Sequence, residues 1–145
     1  MTTRKPAVTV TNGILVDTCV WSLALRRDGN LQAPAVRYLH QALVGGQTVV
    51  TTGIILAELL RGAVHKDSRA KILQNLAALT YLEPNREDYI LSAELSNTCR
   101  KHGVQLATVD SILAALTINN GLALLTTDRD FEYATRHIPL RLTAI

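Results

Sequence analysis

Short apolar runs alternate along the chain with longer segments in which apolar residues recur at helical spacing. Four runs of three or four residues predict strands, of which the first is expected to be buried, and a fifth, which begins with a proline, predicts an edge strand. These five runs are 13–16, 48–51, 80–82, 122–125 and 139–142. The pattern predicts helices over 19–25, 31–44, 53–61, 67–79, 85–103 and 110–119, and a short helix or turn over 129–137.

Because strands alternate with helices of about ten residues or more, the order of elements indicates an α/β fold with a mostly parallel sheet. Turn and cap residues support the boundaries. Asn85 is placed to cap the long helix, and Thr52 is placed to cap the helix that ends before Gly62. Asn120-Gly121 predicts a turn. We expect one domain over 13–145, preceded by a flexible polar lead over 1–12.

Composition narrows the class of protein. The 145 residues are 48% hydrophobic and 19% charged, which fits one globular domain. No apolar run approaches the ~18–20 residues that a membrane span needs, and the N-terminus lacks the apolar core of a secretory signal. We therefore expect a cytoplasmic protein in which Cys19 and Cys99 are reduced core residues.

The net charge of +3 is mild. If four acids gather at one site, the remaining surface carries 15 basic against 8 acidic residues, or +7. Such a surface suits a polyanion bound beside a metal ion. A basic set that is suited to tracking phosphates comprises Arg26, Arg27, Arg61, Lys66 and Arg69, although an ordinary solvated face is the simpler interpretation.

Four of the twelve acids lie in apolar sequence, where an ionised carboxylate is costly. They are Asp17, Glu58, Asp110 and Asp128. The only basic residues close to them in sequence are Arg61 and Arg129, so a divalent cation is the more economical partner. Oxygen ligands without a convergent histidine or cysteine favour Mg²⁺ or Mn²⁺ over Zn²⁺.

The predicted topology brings these acids to one edge of the sheet. Asp17 follows the first strand and Asp128 the fourth, and ligands of parallel sheets bind at the carboxyl ends of strands. Asp110 opens the helix that leads into the fourth strand, and Glu58 lies about one and a half turns into the helix after the second. Helix capping remains an alternative for Asp17, Asp110 and Asp128, but not for Glu58. Asp130 is interpreted as a structural cap.

Four ordered motifs carry a resemblance to a known family. They are Val16-Asp17-Thr18, Ala57-Glu58-Leu59 with Arg61-Gly62, the stretch 110–115, and the stretch 126–131. Together they resemble the motifs of PIN-domain ribonucleases, above all the VapC-type toxins of prokaryotic toxin–antitoxin pairs. The resemblance covers nearly the whole chain, although the lead before Gly13 is longer than is common in this group.

The resemblance implies a PIN-like three-layer α/β/α sandwich with a mostly parallel sheet of about five strands. It also implies metal-dependent endoribonuclease activity, and an identical subunit and a small antitoxin as partners. Asp17 and Asp110 would bind Mg²⁺ or Mn²⁺ most directly, with Glu58 and Asp128 completing the acidic quartet. Thr18 and Thr127 would hydrogen-bond to the ligands or to water.

Other functions fit the sequence less well. A haloacid dehalogenase-type phosphatase needs a second aspartate where Cys19 stands, and no glycine-rich nucleotide loop occurs. A catalytically inactive PIN-like RNA-binding or scaffold domain would be marked by loss of an acid, and a structural protein with capping acids would bind no Mg²⁺. Few aromatic residues are present for an RNA stacking platform, and Trp21 is assigned to packing. No catalytic role is assigned to the four histidines, His40, His65, His102 and His137.

Overall fold

The sheet has four parallel strands. The computed structural model describes residues 12–26 and 31–145, and its strands are β1 (Ile14–Val16), β2 (Val49–Thr51), β3 (Thr80–Tyr81) and β4 (Ala123–Leu125). Their spatial order is β3-β2-β1-β4, and every pairing is parallel. This confirms the predicted α/β class.

Seven helices connect and cover the strands in the described part of the chain. They are α1 (Thr18–Ala24), α2 (Pro34–Val44), α3 (Gly53–Arg61), α4 (Lys66–Ala77), α5 (Arg86–Lys101), α6 (Thr108–Asn119) and α7 (Arg129–Ala134). Helix α1 contacts α2 and α3, α3 contacts α4, and α5 packs along α6.

The core is built around β1, one of the two interior strands of the sheet. All three residues of β1 are buried, so both faces of the strand are covered, as a parallel sheet requires. Leu15 and Leu124 are fully buried side by side in neighbouring strands. Trp21 is 1% exposed and lies in the same core, which agrees with its predicted packing role.

Several predicted helix ends have the expected chemistry. Asn85 caps α5 through a reciprocal pair of hydrogen bonds with Asp88, in which each side chain accepts from the other residue's backbone N–H. Gly103 and Gly121 follow α5 and α6 with φ of +77° and +64°, a conformation that a side chain would disfavour. These glycines let the chain turn sharply from each helix toward the next element.

The predicted fifth strand is wrong in extent. Residues 139–142 make only one isolated parallel bridge, between Leu124 and Leu142, so the sheet has four strands where about five were expected. Two backbone hydrogen bonds support this bridge, and Pro139 has no N–H to extend it. Helix α7 is also shorter than 129–137.

The prediction that Thr52 caps α3 is correct for its position but not for its hydrogen bonding. Thr52 stands at the N-cap of α3, but its side chain makes no capping bond, and its buried hydroxyl has no partner among the described residues. The predicted flexible lead over 1–12 lies outside the described residues except for Asn12. No described helix has both the length and the apolar character to span a bilayer.

Candidate active site at the carboxyl ends of the strands

Asp17 and Asp128 stand at the carboxyl ends of β1 and β4, which are hydrogen-bonded neighbours. Each caps the helix that follows: Thr18 N donates to Asp17 Oδ1 at 2.8 Å, and Asp130 N donates to Asp128 Oδ1 at 2.9 Å. The capping interpretation is therefore correct in geometry for both residues. It does not exclude a second role, because a carboxylate has a second oxygen and further lone pairs.

Thr126 joins these two ends of the sheet. Its hydroxyl donates to Asp17 Oδ2 at 2.8 Å and accepts from Asp128 N at 3.0 Å. Because the Thr126 side chain is buried, its hydrogen bond to the Asp17 carboxylate is shielded from water. Sequence reasoning missed this residue and selected Thr127, whose exposed hydroxyl donates to Cys19 Sγ at 3.2 Å.

Glu58 reaches the same region from α3. The Thr18 hydroxyl donates to Glu58 Oε1 at 2.8 Å, which ties the first turn of α1 to the middle of α3. Two of the residues singled out from the sequence are thus in direct contact. Because the bond fixes one carboxylate oxygen of Glu58, it limits the rotamers available to a long side chain.

Cys19 is part of this site and was not expected there. Its Sγ donates to Asp17 Oδ2 at 3.4 Å and lies 3.7 Å from Thr126 Oγ1. Burial and the neighbouring Asp17 carboxylate raise the pKa of the Cys19 thiol, so the protonated form is favoured. Both cysteines are free, but only Cys99 is fully buried; Cys19 is a partly buried residue at the site.

Asp110 shows that the acids act on one another. It lies in the first turn of α6, whose N-cap is Ala107, so it does not cap this helix. Burial raises the pKa of Asp110 to about 6, with further contributions from the charges of four other acids. They are Asp17, Asp128, Glu58 and Asp130. A helix N-terminus normally stabilises a carboxylate, so the upward shift means that burial and repulsion prevail.

The pKa of Asp17 is also raised. Burial is the main cause and outweighs the hydrogen bonds from Thr126, Cys19 and Thr18, which act in the opposite direction. The charge of Glu58 adds to the increase. The protein therefore spends stability to hold several carboxylates close together.

The donors suit a hard divalent cation. Across 12–26 and 31–145, the four acids form no ion pair with a lysine or arginine, so their mutual repulsion is uncompensated within that part of the chain. Carboxylate and hydroxyl oxygens are ligands of Mg²⁺ and Mn²⁺. The same residues contain no ready-made group of three His, Cys, Asp or Glu ligands.

Comparison with known proteins gives the family. The model of the PIN domain matches residues 14–136. The chain belongs to the PIN domain family. This confirms the resemblance drawn from the four acidic motifs, and the four-stranded parallel sheet agrees with a PIN-like sandwich.

Solved structures share this PIN fold. A chain of VapBC2 from Rickettsia felis, bound to a DNA fragment from its promoter, matches with a TM-score of 0.73 and 20% identity, over 90% of this chain and 97% of that one. DNA-bound VapBC from Salmonella typhimurium matches with a TM-score of 0.68 and 18% identity, over 91% of this chain and 97% of that one. Mycobacterium tuberculosis VapC20, described as a sarcin–ricin loop cleaving toxin, matches with a TM-score of 0.62 and 20% identity. The match covers 88% of this chain and 98% of that one.

Proposed function

We propose that this PIN domain is a Mg²⁺- or Mn²⁺-dependent endoribonuclease that hydrolyses RNA phosphodiester bonds. The observation that carries the proposal is the gathering of acids at the carboxyl ends of the neighbouring strands β1 and β4. Burial raises the pKa of Asp110 there, and the charges of Asp17, Asp128, Glu58 and Asp130 raise it further. Acids that perturb one another at the carboxyl ends of parallel strands mark a functional site. Helix capping accounts for the positions of Asp17 and Asp128 but not for that of Asp110.

In this proposal Asp17 and Asp110 hold the metal ion, and Glu58 and Asp128 bind it or its water. The chemistry supplied by such an ion, when bound, would be activation of a water molecule and stabilisation of the charge on phosphoryl oxygens. Thr126 positions Asp17 through the 2.8 Å bond to Oδ2, and Thr18 positions Glu58 through its bond to Oε1. Thr127 acts less directly: among the described residues its hydroxyl donates to Cys19 Sγ, which in turn donates to Asp17.

We further propose that the chain is the toxin of a toxin–antitoxin pair and acts in the cytoplasm. The similar structures named above include VapBC complexes and a toxin that cleaves the sarcin–ricin loop. The expected partners are a small antitoxin protein and a second copy of this chain. The alternative function, an inactive PIN-like RNA-binding or scaffold domain, predicts RNA binding that neither needs the metal nor leads to cleavage.

The test is cleavage of a mixed tRNA and rRNA pool by wild type and Asp17→Asn, each with Mn²⁺ and with EDTA. We expect cutting only by wild type with metal. Asn retains the size of Asp and can still accept from Thr18 N, so the cap of α1 is kept while the ligand charge is lost. Equal cutting by the two proteins would refute the assignment of the site.

A Mg²⁺ titration followed by thermal unfolding accompanies the assay. Wild type should gain stability with rising Mg²⁺, because an ion that binds only the folded state stabilises that state. Asp17→Asn should gain much less. If wild type binds no Mg²⁺ or Mn²⁺ and cuts nothing, the inactive-domain alternative replaces the proposal.

A further inference from the structure

A cavity of about 260 Å³ opens beside the acidic site. It lies between α1, α3 and α4, and Glu58 forms part of its wall. Whatever fills this space therefore touches a residue of the proposed catalytic quartet. The proposed chemistry accounts for Glu58 but leaves the rest of the cavity without a role.

The floor of the cavity is apolar and aliphatic. Leu59 and Ile72, both buried, contribute to its lining from α3 and α4. Pockets for drug-sized ligands usually measure roughly 300–1,000 Å³, so a cavity of about 260 Å³ suits one small group and not an element of secondary structure. An apolar surface of this kind can cover the face of a nucleobase without an aromatic partner.

The rim of the cavity carries the opposite charge to the acidic site. Two exposed side chains line this rim: Arg26, which follows α1, and His65, which directly precedes α4. Lys66 and Arg69 follow on exposed positions of α4. A strand bound in the cavity would therefore meet the Glu58 carboxylate and the basic side chains Arg26 and His65 in one space, and Arg26 is suited to contact a phosphate.

We propose that this cavity binds one unpaired nucleobase of single-stranded RNA beside the cleaved phosphodiester, and that it sets the nucleotide preference of cleavage at that position. Sequence-specific RNA recognition mostly uses unstacked bases inserted into protein pockets. Arg26 contacts the adjoining phosphate, and His65 hydrogen-bonds to the base edge or to the sugar. The inference rests on the proposed ribonuclease function, because Glu58 links the cavity to that site.

The first experiment fills the cavity without touching an acid. Ser22 lines it from an exposed position of α1, so Ser22→Tyr places an aromatic ring in the opening. Ala93→Tyr, at an exposed position of α5 outside the cavity, is the matched control. Both variants and wild type are given an RNA pool with random single-stranded sequence, and the fragment ends are sequenced.

We expect Ser22→Tyr to lower kcat/KM by about tenfold, the value of one lost base contact. It should also flatten the nucleotide preference at one position while the Mg²⁺ affinity stays unchanged. The control should match wild type. If Ser22→Tyr keeps both the rate and the preference of the control, the cavity does not bind RNA and the inference is overturned.

The second experiment tests the basic rim. Arg26→Ala should reduce the slope of log affinity against log salt by about 0.7, the value for one phosphate contact on a single strand. Arg100→Ala, an exposed arginine on α5, is the control and should leave the slope unchanged. Binding is measured with a fluorescein-labelled single-stranded RNA 12-mer and Ca²⁺ in place of Mg²⁺. An unchanged slope for Arg26→Ala would remove Arg26 from the proposal.

The same binding assay separates failure of the inference from failure of the proposed function. If wild type cleaves no RNA with any metal, the ribonuclease assignment fails while the cavity is still tested by affinity for the labelled 12-mer. Weaker binding by Ser22→Tyr than by Ala93→Tyr would then support a base-binding cavity in an inactive domain. Equal or absent binding would overturn it.

Discussion

Removal of the Asp110 charge should stabilise the metal-free protein. The pKa of this carboxyl is raised from 3.8 to about 6 by burial and by four neighbouring acids, so the ionised form destabilises the fold. A shift of about two units corresponds to at most ~3 kcal/mol. Because Asp110 is only partly buried, solvent screening reduces this to about 1 kcal/mol. For a chain of this size we expect Asp110→Asn to melt roughly 3–5 °C higher in EDTA at pH 7.5.

The pH dependence follows from the same shift. Between about pH 4 and pH 6 the folded protein retains a proton on Asp110 that the unfolded chain has lost, so the contribution of Asp110 to stability falls as the pH rises through this interval. The advantage of Asp110→Asn should therefore grow from about pH 4 to about pH 6 and remain constant above it. Urea titrations at a series of pH values measure this directly.

Adding Mg²⁺ should change which of the two proteins is more stable, and a second aspartate variant serves as the control. Saturating Mg²⁺ should stabilise wild type and not Asp110→Asn, which cancels or inverts their order. Asp67→Asn, in the first turn of α4, should instead be slightly destabilising, because it removes a charge that the helix N-terminus favours. If Asp110→Asn is less stable than wild type in EDTA at pH 7.5, the idea of uncompensated repulsion at this site is wrong.

Three other predictions concern single side chains. Thr126→Val should weaken Mg²⁺ binding about tenfold, because Asp17 loses its 2.8 Å bond, whereas Thr127→Val should change it far less; thermal-shift titration of both variants gives the comparison. Asn85→Ala should cost about 1 kcal/mol in urea unfolding without changing the activity per folded molecule, since it removes a capping bond of α5. Leu113→Ala should cost about 2–5 kcal/mol, because Leu113 is 0% exposed; a value under 1 kcal/mol would contradict its place in the core.

The sheet and the strand-end acids followed from local patterns. Buried apolar runs predicted β1, β2 and β4 to within a residue or so, and their parallel arrangement placed Asp17 and Asp128 at one edge. The fifth strand was overestimated because an apolar run reports a propensity and not the number of backbone bonds that form. Residues 139–142 have that propensity but share only one bridge with β4.

The contacts between acids and hydroxyls were beyond local reasoning. Thr18 and Glu58 are 40 residues apart, and Thr126 and Asp17 are 109 apart, so each bond depends on how two elements pack. The choice between Thr126 and Thr127 depends on the backbone direction after β4, where alternation no longer applies. Cys19 was assigned to the core because an apolar helix surrounds it, yet its first-turn position brings it beside Asp17.

The pairing of β1 with β4 has a consequence for synthesis. Strand β1 is among the first described residues to leave the ribosome. Its neighbour β4 and Thr126 follow more than a hundred residues later. Contacts of such high sequence separation form only after nearly the whole chain has emerged. A truncated or still-growing chain would carry Asp17 without its partners. We therefore expect an acidic site that forms only after β4 and Thr126 have been synthesised and have emerged from the ribosome.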